Sequence, residues 1–310
     1  MSQLRFDGRT AIVTGAARGL GRSYALLLGK LGAKVVVNDN GGSVAGPGFD
    51  ASPAQTVVDE IMAAGGEAVA CTESVATPEG GQAIVDAALA AFGRLDILIH
   101  NAGNFRPEWF KDYRQKDYDE VLAVHQHGAF HVGRPAFKLM YDQGYGRVVL
   151  TSSICGTYGC FKNISYSVSK TAMIGFNNII ALEGAERNVK SNIILPAAVT
   201  RMAGEWDYST YPPMNEEQVA PMVGWLSHES CSVSGEIYAA IGGRLAKTYL
   251  METEGVYDAE WTVDKVAAQI DAIRDMSRTK HFPILPAGHD EHIKYSFLMG
   301  YGSTTRKTGE

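Results

Sequence analysis

Short apolar runs alternate with longer amphipathic segments along the first 250 residues. Residues 10–14 (TAIVT), 34–38 (KVVVN), 68–71 (AVAC), 95–100 (LDILIH), 147–151 (RVVLT) and 191–195 (SNIIL) are apolar almost throughout rather than at alternate positions. Runs of this kind suit strands buried on both faces, as in a parallel sheet. Between them, residues 23–31, 53–64, 81–92 and 118–141 have the length and periodicity of helices. The alternation predicts an α/β fold, a doubly wound parallel sheet with helices on both faces. Ligands of such sheets bind beyond the carboxyl ends of the strands, so candidate chemistry is sought there.

Two stretches break the rhythm. Residues 40–52 (NGGSVAGPGFDAS) make a loop longer than most strand–helix connections. Beyond about Glu252 the alternation stops. Thr262 is placed to cap a helix whose Val263, Val266, Ala267, Ile270 and Ile273 share one face. Gly and Pro punctuation predicts irregular structure over residues 281–310.

Composition narrows the function classes. Hydrophobic residues make up 45% of the 310, charged residues 20%, and the net charge is −6 without any block of like charges. That balance excludes a nucleic-acid surface. No apolar run reaches the ~18 residues of a membrane span, and the N-terminus has no signal-like core. The last residues do not form a Ser-Lys-Leu type peroxisomal address, so a cytoplasmic protein is expected. Cys71, Cys155, Cys160 and Cys231 form no CxxC pair, and the reading is free thiols in a reducing compartment.

The first run leads straight into Gly15-Ala16-Ala17-Arg18-Gly19-Leu20-Gly21 and then into a helix. Glycines let backbone approach a pyrophosphate, and a helix N-terminus offers unpaired N–H groups and a positive dipole end. Position after the first strand raises an otherwise weak motif to a dinucleotide-binding signal. The second run ends at Asp39, whose carboxylate can accept from both adenosine ribose hydroxyls and repel a 2′-phosphate, which favours NAD. Arg18 could instead pair with such a phosphate.

Tyr166 and Lys170 lie four apart, on one face of a predicted helix. A phenol with a pKa near ~10 is a poor base at neutral pH, but an adjacent ammonium and an oxidised nicotinamide favour the phenolate. Ser153, at the end of the 147–151 run, can hydrogen-bond a substrate oxygen. His125, His127 and His131 lack a carboxylate or thiol to complete a metal set, and no metal is expected.

Together these motifs resemble the short-chain dehydrogenase/reductase family. They are the TGxxxGxG loop at 14–21, Asn101-Ala102-Gly103, Ser153 and the Tyr166/Lys170 pair, and the likeness runs from Leu4 to about Gly243. Residues 35–42 (VVVNDNGG), 123–130 (AVHQHGAF), 196–202 (PAAVTRM) and 219–231 (VAPMVGWLSHESC) are similar to the branch acting on (3R)-hydroxyacyl-CoA and on 17β-hydroxysteroids. The resemblance implies a Rossmann-like, NAD-binding catalytic domain over residues 1–250. Residues 251–310 would then be a helical or irregular C-terminal extension, expected to pack on the same domain or on a partner subunit. It also implies reversible oxidation of a secondary alcohol to a ketone. Tyr166 would be the acid/base, Lys170 would lower its pKa and bind ribose, and Ser153 would polarise the oxygen. Asn101, Ala102 and Gly103 would lie beside the adenosine ribose, and Glu73, Ser74 and Val75 at adenine. Pro196, Val199 and Thr200 would cover the nicotinamide amide.

Most family members carry asparagine at the position of His125, where the backbone supports a water relaying protons to the lysine. A main-chain role survives the change. His100 replaces the asparagine that usually precedes Asn101. Trp109, Phe110, Tyr158 and Trp206 are candidate pocket residues, Cys155 and Cys160 a small wall at the substrate mouth, and residues 203–213 a lid or bulky-substrate loop. The 118–141 and 165–183 helices resemble the family's four-helix dimer interface, implying a homodimer or homotetramer. Two alternatives stay open: an NADPH-dependent 3-oxoacyl reductase and a non-catalytic NAD-binding scaffold.

Overall fold

The computed structural model describes residues 4–46, 48–200, 210 and 212–307, with the side chains of 301–307 left out. The chain divides into two compact units, residues 1–247 and 248–310. In the first, parallel strands β1 (Thr10–Thr14), β2 (Lys34–Asn38), β3 (Glu67–Cys71), β4 (Ile97–His100), β5 (Gly146–Thr151), β6 (Val189–Ala197) and β7 (Glu236–Ile241) form one sheet with β8 (Arg244–Thr248). The order is β3-β2-β1-β4-β5-β6-β7-β8. Strand order reverses between β1 and β4, and a crevice opens at such a point. A two-residue turn, Gly242 and Gly243 at positive φ, leads from β7 into β8.

Alternating side chains of each strand feed two cores. Ala11, Val13, Val35, Val37, Ile97 and Ile99 pack toward helices α1 (Gly19–Lys30), α2 (Ser52–Ala63) and α8 (Ala220–Ser227). Ile12, Val36, Leu98, Val148 and Leu150 pack toward α3 (Pro78–Phe92), α5 (Gly128–Gln143) and α7 (Ile164–Gly184). Burying each large aliphatic side chain contributes ~1.5–3 kcal/mol, which accounts for the near-continuous apolar runs. Helix α3 starts earlier than its periodicity suggests, because Thr77 caps it by accepting from the Gly80 amide.

The segment expected to be one helix over 118–141 is interrupted. α4 (Gln115–Leu122) passes through a π-helical segment, Ala123–His127, into α5. Wider turns of this kind occur where a side chain must be re-aimed, and His125 sits in this one. A short α6 (Ile154–Tyr158) follows β5.

In the second unit, β9 (Glu252–Thr253) pairs antiparallel with β10 (Thr279–Lys280). α9 (Val263–Ile273) is capped by Thr262, which accepts from the Lys265 amide. The expected irregular structure over 281–310 is corrected: α10 (Asp290–Lys307) is a helix of 18 residues. Its first turns are anchored by the Phe282 ring against His292 and Tyr295, and by His292 paired with Glu252. These tertiary anchors override Gly300, which weakens the helical pattern in sequence. None of this unit's described residues is fully buried, and Val263 on the α9 face is 86% exposed.

Candidate active site

A cleft of about 350 Å³ opens at the carboxyl ends of β1, β2, β4, β5 and β6. Gly15, Arg18, Gly19 and Leu20 line one wall, and no side chain caps α1 behind them. Gly21 does not line the cleft but makes the loop possible. A Cβ there would lie 2.1 Å from the Gly15 carbonyl oxygen. The Asn101 amide ties the loop down by donating to the carbonyls of Thr14 and Gly15. An uncapped helix start beneath a close-packed glycine loop fits a pyrophosphate.

Asp39 lines the same cleft, with its carboxylate fixed by the amides of Ala17 (3.0 Å) and Gly41 (2.8 Å). Each oxygen keeps a lone pair for a hydroxyl donor. Asn38 donates to the carbonyls of Cys71 and Glu73, which carries Glu73, Ser74 and Val75 to the cleft edge. Ala102, Gly103, Pro196 and Thr200 also line it; Val199 does not, being 39% exposed with its amide bonded to Met214.

β5 and α7 bring together Ser153, Tyr166 and Lys170. The Ser153 hydroxyl caps α6 by accepting from the Cys155 amide at 3.1 Å and favours the ionised form of the Tyr166 phenol. Lys170 Nζ donates to the Thr151 carbonyl at 2.7 Å and lies 5.5 Å from the centre of the Tyr166 ring. Phe105 and His125 meet that ring edge-on, with centroids 5.4 and 5.3 Å away. The phenol of Tyr166 has a pKa shifted upward. Burial raises it, opposed only by the Ser153 hydrogen bond, while burial pulls Lys170 down to about 7. Loss of water disfavours the charged form of each group.

The two histidines are wired into this centre. The Asn101 and Ala102 amides both donate to Thr14 Oγ1, filling its lone pairs, so the Thr14 hydroxyl proton must point to His100 Nδ1 at 3.3 Å. His100 therefore carries its proton on Nε2 and donates to the His125 carbonyl at 3.2 Å. Burial, then Lys170, holds His100 down to about 4, so this neutral form persists at physiological pH. His125 Nε2 contacts the Asn104 backbone, and Nδ1 is buried without a partner among the described residues. A Cβ on Gly103 would meet the His125 ring at 2.4 Å. His100→Leu, which orphans the Thr14 hydroxyl and the His125 carbonyl, is expected to lower unfolding free energy by roughly 2–4 kcal/mol in a urea titration.

Sequence reasoning missed part of the cleft. Asn40, Gly42, Ser43, Val44 and Gly46 of the long loop line it, as does Asn104. The loop is pinned across the opening by Phe105 N to Val44 O (2.9 Å) and Arg106 Nε to Ala45 O (2.8 Å). Loop length was the only signal, and it carries no direction. Trp109 (46%), Phe110 (76%) and Tyr158 (76%) are exposed and do not line the cleft, while Trp206 and most of the 203–213 loop lie outside the described residues. The reading of four free thiols is corrected: Cys155 and Cys160 are disulfide-bonded, and Cys71 and Cys231 are free and buried. The spacing gave no hint, because a six-residue approach depends on the turn at Gly159, whose φ is +80°.

A parallel sheet with a dinucleotide cradle at its switch point and a Ser/Tyr/Lys group beside it defines a nicotinamide-dependent oxidoreductase acting on CH–OH groups. Residues 9–209 match the family described as short chain dehydrogenase, and the chain belongs to that family. It is 41% identical over 285 residues to peroxisomal multifunctional enzyme type 2 of Drosophila melanogaster, covering 90% of this chain and 47% of that one. It is 39% identical over 300 residues to the peroxisomal hydratase-dehydrogenase-epimerase of Neurospora crassa, covering 94% and 32%. The crystal structure of a short chain dehydrogenase from Mycobacterium avium matches with a TM-score of 0.77 at 34% identity, covering 91% of this chain and 98% of that one. The chain thus spans about a third to a half of the length of the peroxisomal relatives.

Proposed function

We propose that the protein oxidises the secondary hydroxyl of a 3-hydroxyacyl-CoA to the ketone with NAD⁺. The observation that carries the reaction is the meeting of Ser153, Tyr166 and Lys170 at the carboxyl end of β5 beside the dinucleotide cleft, with Lys170 Nζ 5.5 Å from the centre of the phenol ring. The thioester class follows from the resemblance of residues 35–42, 123–130, 196–202 and 219–231 given above, and relatives named peroxisomal hydratase-dehydrogenase-epimerase support a dehydrogenase. The fit of the glycine loop and uncapped α1 to a pyrophosphate supports the cofactor class. Gly15, Gly19, Leu20, Asp39 and Asn101–Gly103 would hold its adenosine half, and Tyr166, Lys170, Pro196 and Thr200 its nicotinamide half.

When bound, an oxidised nicotinamide supplies the hydride acceptor and a positive charge near the phenol. Tyr166 takes the hydroxyl proton as the substrate oxygen becomes a carbonyl, and Ser153 holds that oxygen. Lys170 in its ammonium form favours the phenolate, and its pKa near neutrality lets it pass the proton on. His125, whose carbonyl is fixed by His100, supports this side of the site as a positioning residue. Self-association through α5 and α7 is part of the reading, since Phe130 and Ile179 on these helices are more than half exposed.

The test is NADH formation from a (3R)-3-hydroxyacyl-CoA and a 17β-hydroxysteroid, with NAD⁺ and NADP⁺ in parallel. Turnover of the thioester alone supports the reading; turnover of only the steroid moves the substrate class, and silence on both refutes it. NAD preference follows from Asp39. Asp39→Asn removes the charge that repels a 2′-phosphate and keeps an acceptor for the Ala17 amide. With the Arg18 guanidinium in the same cleft, the ratio of kcat/KM for NADP⁺ to NAD⁺ is expected to rise roughly 10- to 100-fold.

A further inference from the structure

We propose that Cys155 and Cys160 are an oxidisable dithiol whose closure sets how the enzyme holds its substrate. The proposal rests on the reading of Ser153 and Tyr166 given above. The two residues lie between those groups in sequence, with Cα atoms 5.0 Å apart. Cys160 is exposed and Cys155 half-buried, so a small reagent reaches the pair from solvent. A bridge closing only six residues constrains little of the unfolded chain, so its consequence is local.

Both ends of the bridge lead into the site. On the Cys155 side, the amide donates to the Ser153 hydroxyl, and α6 lies against the helix that carries Tyr166 and Lys170. Gly156 permits this contact, since a Cβ there would meet Lys170 backbone at 2.8 Å, and Thr171 Oγ1 donates to the Gly156 carbonyl at 2.6 Å. On the Cys160 side, Phe161 packs edge-on against Trp109, and Glu108 N donates to the Lys162 carbonyl at 2.9 Å. Asn163 then opens α7 by accepting from the Ser167 amide at 2.8 Å, one residue past Tyr166. The disulfide joins the turn that fixes Ser153 to the turn that leads into the start of α7. With the bond open, residues 156–161 lose that tie while each flank keeps its own anchors.

The chemistry needs a low-molecular-weight disulfide as oxidant. The exposed Cys160 thiolate attacks one sulfur of the reagent, breaking its S–S bond, forming a mixed disulfide and releasing one thiolate. Cys155, after losing its proton, displaces the second thiolate and forms the Cys155–Cys160 bond. Two electrons pass from the protein to the reagent, and the two protons lost by the cysteines end on the two released thiols. A dithiol such as dithiothreitol runs the sequence backward.

The test uses the full chain, reduced with dithiothreitol or oxidised with glutathione disulfide. Mass spectrometry after iodoacetamide labelling counts the thiols, and NADH affinity and steady-state kinetics are measured on both forms. Expected results are two fewer labelled thiols after oxidation and an unchanged NADH affinity, because neither cysteine lines the dinucleotide cleft. The KM for the alcohol should be roughly three- to ten-fold higher in the reduced form, with a smaller change in kcat. Cys155→Ser and Cys160→Ser should both match the reduced form and ignore the oxidant. Equal KM values in two forms whose thiol counts differ would overturn the proposal, as would a pair that never closes. If neither form turns over any alcohol, the functional reading fails instead. Trp109 fluorescence, read against a Trp109→Phe control, then still reports whether closure reshapes the segment, and no redox change there refutes the switch.

Discussion

Tyr166→Phe is expected to lower kcat by roughly 10³-fold while leaving the dissociation constant for NADH within about two-fold of its original value. The phenol oxygen is the only part of the residue removed. Its ring keeps the edge-on contacts with Phe105 and His125, so the packing that shapes the cleft is undisturbed. What disappears is the titratable oxygen that lines the cleft beside Lys170. Water is a poor replacement, being a far weaker base than a phenolate. Stopped-flow or steady-state NADH absorbance gives kcat, and fluorescence titration gives NADH affinity. Loss of rate with binding intact separates a working oxidoreductase from a scaffold that merely binds a dinucleotide; unchanged turnover would remove Tyr166 from the mechanism.

Much of this centre could be read from residue order alone, and the reason is local. Strands β1 and β2 are legible as apolar runs because both of their faces are buried, and Gly15–Gly21 and Asp39 follow them without intervening chain. Tyr166 and Lys170 share a helix face whatever the rest of the fold does. Features that depend on distant segments were not legible. The strap formed by residues 40–46 takes its place from hydrogen bonds donated by the Phe105 amide and the Arg106 guanidinium, about sixty residues away in sequence. The π-helical segment at His125 depends on the Asn104 backbone and on His100, and the helix α10 on Phe282 and Glu252. At Tyr166 and Lys170 a spacing rule registers the neighbouring charge but not the water that burial takes from both groups.

The cost of that lost water makes Lys170 the second residue whose replacement should have a large effect, and in two directions at once. Lys170→Met is expected to abolish most turnover, on the order of 10²- to 10³-fold in kcat, while making the protein more stable at neutral pH. In the folded chain the amine titrates at about 7 against an ordinary value of 10.5. Between those two values the unfolded chain holds a proton that the folded chain has released, so folding stability rises with pH across this window. Below it both states are charged, and the folded state carries the full cost of a buried ammonium, on the order of 5 kcal/mol. Methionine fills a similar volume without that cost, and gives up only the hydrogen bond to the Thr151 carbonyl, worth about 1 kcal/mol. Urea unfolding at pH 7 should therefore show the variant more stable by roughly 2–4 kcal/mol, with the advantage shrinking as pH is raised toward 10. The same substitution removes the charge that helps hold His100 and His125 neutral, so both imidazoles should titrate at higher pH, readable by NMR. A variant that is inactive and also less stable at pH 7 would mean that the lysine is a structural anchor. A variant that gains stability as it loses rate would mean that the fold retains a destabilising buried charge at this position for its chemistry.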